Sequence, residues 1–171
     1  MRLTLETERL ILRPFDITDA YDMYNGWTSD PLVTKYIKWD VHESVQDTID
    51  ILEQWILQYD IPERINFAIT LKDTNELIGG IDIVGYIEGM PVIGYNLSPK
   101  YWNNGYMTEA CKCVVDYLFS IGHKVVRIDA VNENIGSNKV IKKCGGKFIE
   151  NYKDKMKGKE VIINKYHIMN K

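Results

Sequence analysis

Between Pro91 and Asn132 the hydrophobic period of the sequence changes twice, and this restricts the possible fold more than any other feature. GMPVIGYNLSP (89–99) reads as a strand that Pro99 prevents from continuing, because proline has no N–H for a central ladder. From Met107 the apolar residues fall at Met107, Cys111, Val114, Leu118 and Ile121, a helical stripe closed by Gly122. VVRIDAVN (125–132) is then extended again. A strand–helix–strand unit of this length places its strands parallel in one sheet, with a right-handed crossover and the helix on one face. A mixed sheet with covered faces is required.

The flanking segments fit that sheet. RLILRPF (9–15) is a strand stopped by Pro14, and Asp16 and Asp19 in DITD can cap a short helix through Tyr24. SVQD (44–47) is like a capping box with Asp in place of Glu or Gln, after which Val45, Ile49, Leu52 and Ile56 recur at helical spacing until Pro62. INFAITL (65–71) and LIGGIDIVGY (77–86), joined by KDTNE, read as two antiparallel strands. SNKVIKKC (137–144) is a short helix closed by Gly145 and Gly146, and KFIENY with VIINKYHIM form a final strand pair. The predicted class is α/β (α+β), in the order β α α β β β α β α β β. That is about seven strands flanked by four helices, in a single domain over residues 1–171.

Composition excludes several functions. MRLTLETERL lacks the basic start and apolar core of a signal peptide, and no run approaches ~18 apolar residues, so a cytoplasmic protein without membrane contact is expected. Cys111, Cys113 and Cys144 lack metal-ligand spacing, and His42, His123 and His167 lie far apart, so no metal is expected. Residues 139 to 171 hold ten lysines against Glu150, Asp154 and Glu160, a balance of +7, which leaves −10 on the first 138 residues of a chain of net charge −3. The lysines alternate with apolar residues, as on the solvated faces of closing strands. With no basic-aromatic motif and an acidic total, nucleic acid is not an expected partner.

YWNNGYMTEA (101–110) lies where the third strand of the central group gives way to the long helix. A helix start leaves about four N–H groups without partners and a partial positive charge, and a glycine there lets an anion approach the main chain. The stretch is either a plain turn or a phosphate cradle. It has neither the P-loop nor the dinucleotide fingerprint.

Taken together, SPKYWNNGYMTEA, TERLILRPF, IGYNLSP and NENIGSNKVIKKCGGKF, in their order from residue 7 to residue 148, resemble the GNAT N-acetyltransferase superfamily in its ribosomal-protein-alanine acetyltransferase branch. The resemblance implies the GNAT fold, acetyl-CoA as donor and a primary amine as acceptor. The family's Q/R-x-x-G-x-G/A pyrophosphate loop falls on Trp102 to Met107, with only Gly105 matching strictly, so the expected cofactor loop is Asn103, Asn104, Gly105, Tyr106, Met107 and Thr108. The strand IGYNLSP matches the one that pairs with the pantetheine arm, which implies main-chain contacts from Leu97 and Ser98 and an N–H for the thioester oxygen. Asn134 and Ser137 match the family's N-x-x-S. The functional reading gives Asn134 to the arm and makes Ser137 the catalytic partner of the departing sulfur, while the structural reading makes both helix caps. Trp27, near the loop that in this family borders the acceptor channel, and Tyr95 on the cofactor strand are the substrate-binding candidates, each also readable as a core residue.

Three departures bear on chemistry. Ile141 stands where many members carry a tyrosine acid, Val92 stands where a catalytic glutamate is frequent, and Asp82 on the neighbouring strand is a relay candidate that is equally well read as a strand residue. Without a firm base, α-amino acceptors are favoured, since their pKa of about 7.7 to 8.0 leaves roughly a tenth neutral at pH 7 whereas a lysine near 10.4 is almost wholly charged. The expected acceptor is a protein N-terminus, attacked directly in a ternary complex, by a monomer or homodimer. The alternatives are a small-molecule amine (polyamine, amino sugar or amino acid) or a non-catalytic acyl-CoA-binding module.

Overall fold

A computed structural model describes residues 3–171. Its strands are β1 (Leu5–Glu6), β2 (Leu10–Arg13), β3 (Asn66–Leu71), β4 (Leu77–Ile87), β5 (Met90–Leu97), β6 (Val125–Val131), β7 (Lys147–Met156) and β8 (Lys159–Met169). The helices are α1 (Ala20–Met23), α2 (Pro31–Thr34), α3 (Val45–Gln58), α4 (Tyr106–Ser120) and α5 (Ile135–Lys143). Among the described residues the strands form one eight-stranded sheet in the order β1-β2-β3-β4-β5-β6-β8-β7. Only β5 and β6 are parallel, as the changes of period require.

Two small elements escape the sequence reading. β1 is two residues long, too short to show a period, and pairs with β2 through Leu5↔Leu12 and Glu6↔Ile11. α2 is one turn, opened by Asp30, whose Oδ1 accepts from Leu32 N at 2.9 Å, and by Pro31, preset for the first helical position. The first helical segment is also longer than expected. Asp16 Oδ1 accepts from Thr18 N at 2.9 Å, but the coil runs past Tyr24 through a π-helical turn to Thr28.

The strands alternate their side chains between two cores. On one face Leu10, Leu12, Phe67, Ile69, Ile81, Ile93, Val126 and Ile128 pack under α4 (Met107, Cys111, Val114, Leu118) and α5 (Ile141). The opposite face of the N-terminal half holds Phe15, Met23, Trp27, Ala68, Leu77 and, from α3, Leu52, with Val45 and Ile49 beside them. α3 begins as its sequence indicates, with Asp47 Oδ2 accepting from Ser44 N and Glu43 N at 3.0 Å each. Burial of such a stripe supplies about 25 cal/mol per Å² of apolar area and outweighs local propensity. Lysines of the closing hairpin stay outside, pairing as Lys165–Glu150 and Lys153–Glu160.

Gly79 fixes how closely β4 meets β5. A Cβ there would lie 2.4 Å from Asn96 O and 3.1 Å from Leu97 Cα, both main-chain atoms that cannot step aside. Gly79→Ala is expected to destabilise the fold by about 1–3 kcal/mol or more, read as a lowered denaturant midpoint, because overpacking here forces the strands apart.

Candidate active site

The site is built where β5 leaves β6. β5 stays paired with β4 from Ile87↔Met90 to Gly79↔Leu97, yet meets β6 only at Val92↔Arg127 and Ile93↔Ile128. Beyond Ile93 the parallel strands diverge and open a wedge. Ser98 N donates to Ile78 O at 2.8 Å, so the two-residue alternation of an antiparallel ladder turns the N–H groups of Tyr95 and Leu97 toward the wedge. Of the two residues expected to offer main-chain contacts, Leu97 turns its N–H to the wedge, whereas the Ser98 N–H is engaged by Ile78. Trp102 Nε1 donates to Leu97 O at 2.8 Å and fixes the loop to the strand end.

The loop that follows is shaped to expose amides. Asn103 (φ 62°) and Gly105 (φ 78°) are both left-handed, a conformation that costs glycine little and asparagine less than most residues. The carbonyl groups are drawn away from the turn. Asn104 Nδ2 donates to Tyr101 O and Trp102 O at 3.2 and 2.9 Å, and Arg9 Nη1 donates to Asn104 O at 3.0 Å. The first intrahelical bond of α4 is Glu109 N to Gly105 O at 3.0 Å, which leaves the N–H groups of Tyr106, Met107 and Thr108 without an acceptor among the described residues. A diphosphate fits such a place, since it needs convergent N–H donors at a helix start. Met107 itself is buried, so only its main chain can serve.

A clamp that the sequence reading missed holds this turn. Glu109 accepts from Arg9 N (2.8 Å), Arg9 Nε (2.7 Å) and Thr7 Oγ1, and the Arg9 guanidinium lies 4.4 Å from the centroid of the Tyr106 ring. TERL was part of the family resemblance, but a partner a hundred residues downstream leaves no local signal. Burial raises the Glu109 carboxyl, yet the hydrogen bonds from Thr7 and Arg9 outweigh it and hold it below the usual range.

The far wall of the wedge carries the hydroxyl groups. Asn134 Oδ1 accepts from Ser137 N at 3.2 Å, which makes Asn134 the cap of α5. Ser137 Oγ lies 2.8 Å from Tyr95 Oη, so the expected catalytic and substrate-binding residues are brought together across the opening. Burial pushes the Tyr95 phenol well above its ordinary value and keeps it neutral. Ile141, where a tyrosine acid is frequent, is fully buried, but a tyrosine hydroxyl does reach the start of α5, supplied by β5. Asn138, not singled out by sequence, anchors α5 by accepting from Tyr166 Oη (2.7 Å) and Asn164 Nδ2 (3.0 Å).

On the opposite side of the sheet Trp27, a substrate-binding candidate, is 1% exposed in the core with Phe15 and Leu52, which fits its reading as a core residue. The neighbouring Gly26 comes closer, a Cβ there lying 3.9 Å from Ser98 Cβ. Residues 34–40 and the β7–β8 turn form a rim, tied by Lys157 Nζ to Thr34 O (2.8 Å) and Lys38 to Asp154 (3.1 Å). Cys111, inside α4, is fully buried with its thiol pushed up by hydrogen bonding to Cys144 and by burial, which disfavours an acyl-cysteine route. No cluster of three or more His, Cys, Asp or Glu able to hold a metal occurs among the described residues, nor does a helix long and apolar enough to cross a membrane.

A divergent parallel pair, an amide-lined helix start and a hydroxyl pair between them define an acyl-CoA-dependent transferase. Residues 9–147 match the family model described as the acetyltransferase (GNAT) domain, and the chain belongs to that family. It is 32% identical over 144 residues to the uncharacterized N-acetyltransferase YoaA of Bacillus subtilis strain 168, covering 82% of this chain and 81% of that protein. The fold superimposes on a GNAT-family acetyltransferase structure from Bacillus anthracis with a TM-score of 0.86 at 26% identity, covering 98% of each chain. It also matches the ribosomal L7/L12 α-N-protein acetyltransferase RimL in complex with coenzyme A, with a TM-score of 0.85 at 18% identity over 98% of each chain, a likeness of fold. The activity is N-acetyl transfer from acetyl-CoA.

Because the Glu109 carboxylate is depressed in the folded state, its contribution is present above its ordinary value near 4.5 and lost as pH falls through the folded value. Glu109→Gln is expected to lower stability by about 1–2 kcal/mol at pH 7, allowing for the half-exposed Arg9. The difference should shrink toward zero in denaturant titrations below about pH 4.

Proposed function

We propose that this acetyltransferase acts on α-amino groups, a protein or peptide N-terminus being the best acceptor, by direct attack in a ternary complex. The observation that carries the reading is the wedge between β5 and β6, with free amides at its mouth and the Tyr95–Ser137 hydroxyl pair on its wall. The donor supplies an activated thioester. The amides of Tyr106 to Thr108 hold its diphosphate, and the Gly105 conformation keeps them convergent. Along β5 the main chain of Leu97 aligns the arm and offers an N–H to the developing oxyanion. Asn134 presents its amide to the same arm while capping α5.

Ser137 stabilises the leaving sulfur by hydrogen bonding. A thiol of pKa about 8.5 departs near neutrality without a strong acid, and Tyr95 behind Ser137 orients the hydroxyl and can restore its proton. α-Amino groups suit a site of this kind because they are partly neutral at pH 7. RimL, of similar fold, acts on a protein α-amino group by its name, which supports the same class here.

The test is CoA release with a panel of amines that includes a ribosomal-protein N-terminal peptide, a lysine side-chain peptide, a polyamine and an amino sugar. At pH 7 the α-amino peptide should react fastest, and faster acetylation of lysine side chains or of a small amine reassigns the acceptor. Gly105→Val forces a β-branched residue to φ 78° and is expected to weaken acetyl-CoA binding at least about tenfold by calorimetry. Tyr95→Phe leaves Ser137 without its partner and should lower kcat by about tenfold or more with little change in donor affinity.

A further inference from the structure

We propose that Asp82 is the proton acceptor for the incoming amine, its carboxylate reaching over Gly94 to the apex of the wedge from the face opposite α4 and α5. The inference rests on direct amine attack as proposed above. Ile81, Ile83 and Ile93 point into the core beneath α4, so Asp82 and its cross-strand partner Gly94 point the other way. Gly94 is the first β5 residue beyond the last pairing with β6, which puts it at the apex.

Local packing aims the carboxylate there. The β4–β5 register shifts between Ile83 and Gly85, and the resulting bulge lays Val84 over Gly94 beside Asp82. A Cβ on residue 94 would lie 2.5 Å from Val84 Cγ1 and 3.4 Å from Asp82 Oδ1, so only glycine lets Val84 and the Asp82 carboxylate lie this close over β5. Val92, where a family glutamate is frequent, lies on the same face two residues away. Asp82 thus offers a carboxyl to the same spot from the adjacent strand.

Asp82 is also the carboxylate with a proton vacancy. No hydrogen bond or ion pair reaches its side chain among the described residues, whereas Asp129, on the same face of β6, is held by Arg127 (2.7 Å) and by Tyr152 Oη (2.9 Å). Asp82 borders a cavity of about 40 Å³, with Trp55, Gln58, Tyr59, Arg64 and Asn66, roomy enough for a water relay. The titratable groups facing it are Arg64, whose charge lowers its pKa, and Tyr59 at the end of α3. β5 presents only Gly94, and on β6 Arg127 and Asp129 neutralise each other. Burial dominates and pushes the Asp82 carboxyl up to about 7, the range in which a base works best at neutral pH.

The proton account closes. Asp82 takes one proton from the bound ammonium. The nitrogen lone pair then forms the N–C bond while the C–S pair remains on sulfur. The second proton lost by nitrogen as the amide forms goes to the thiolate, through Ser137 or water, and the proton on Asp82 leaves to solvent through the cavity. A base of this strength draws a proton from an α-ammonium of pKa about 8 at small cost, but from a lysine near 10.4 only with a penalty of more than three powers of ten. Acceptor choice follows from the carboxylate.

The test compares wild type with Asp82→Asn using an α-amino peptide at pH 6.5 and pH 9. At pH 6.5, where roughly 3% of an α-amine of pKa about 8 is neutral, kcat/KM should fall by about ten- to thirtyfold, and at pH 9, where the free amine is already neutral, by about twofold or less. Equal losses at both values, or no loss, overturn the assignment, since a structural role depresses both alike. A second readout needs no donor or acceptor. A carboxyl raised in the folded state stabilises fully below its unfolded pKa and loses that contribution as pH rises through about 7, so Asp82→Asn should gain in Tm over wild type between pH 5 and 8. A Tm difference that is constant over this range overturns the assignment. Wild type that acetylates no amine in the panel, while the Tm difference still grows with pH, defeats the acceptor reading instead and takes the catalytic role of Asp82 with it.

Discussion

The parallel contact between β5 and β6 lasts for only two register pairs, and the rest of the molecule is organised around its failure to continue. Each strand is secured on its other side. β5 runs with β4 to Leu97, and β6 runs with β8 from Val125↔Met169 to Val131↔Ile163. Unmade ladder bonds would cost about 1–3 kcal/mol each if buried dry, so an open wedge persists only where water or a ligand backbone can meet them. Tyr95 spans the opening to Ser137 and keeps α5 in register with β5 without closing it. The gap is a built feature.

Electrostatics at the mouth resolve an apparent conflict. Glu109 lies in the first turn of α4, where its negative charge favours the helix but would repel a phosphate. Its oxygens are consumed by Thr7 and Arg9, and the Arg9 guanidinium projects beyond it to within 3.5 Å of where a Gly105 Cβ would stand. A carboxylate is thereby turned into the anchor of a cation. Main-chain amides, one arginine and a helix start thus converge at the turn, while Trp102, where the family has a polar residue, ties the loop to β5 through its indole.

What could be read from sequence followed from local rules, and what could not depended on contacts between distant segments. Periods of two and 3.6 residues located the long strands, α3 and α4, and the parallel pair. Gly105 and the Asn134–Ser137 cap were legible as turn chemistry, although resemblance was needed to call them a donor site. β1 and α2 were too short for a period. The Thr7–Arg9–Glu109 clamp and the Tyr95–Ser137 contact join residues 102, 100 and 42 positions apart, which no window can reveal. Trp27 reads both ways in sequence because an aromatic residue near a loop is equally suited to a core or a channel, and its packing with Phe15 and Leu52 could not be seen there.

The carboxylates sort themselves by what each has to hold. Asp19 faces the Arg13 fork at 2.8 Å twice, Asp47 accepts from the start of α3, and Asp129 carries Arg127 and Tyr152. A carboxylate given such donors has its oxygens already engaged by the fold. Asp82 is part-buried and has no hydrogen-bond donor on its oxygens among the described residues, with the charge of Arg64 as a partial offset, so burial raises its carboxyl. Its surroundings are specific: Gly94 lets the carboxylate and Val84 lie over β5, and the opening between β5 and β6 begins there. The same strand divergence that frees the main-chain donors of β5 also begins beside this carboxylate, and on the proposed mechanism it is what lets one opening serve both the thioester and the deprotonation of the amine.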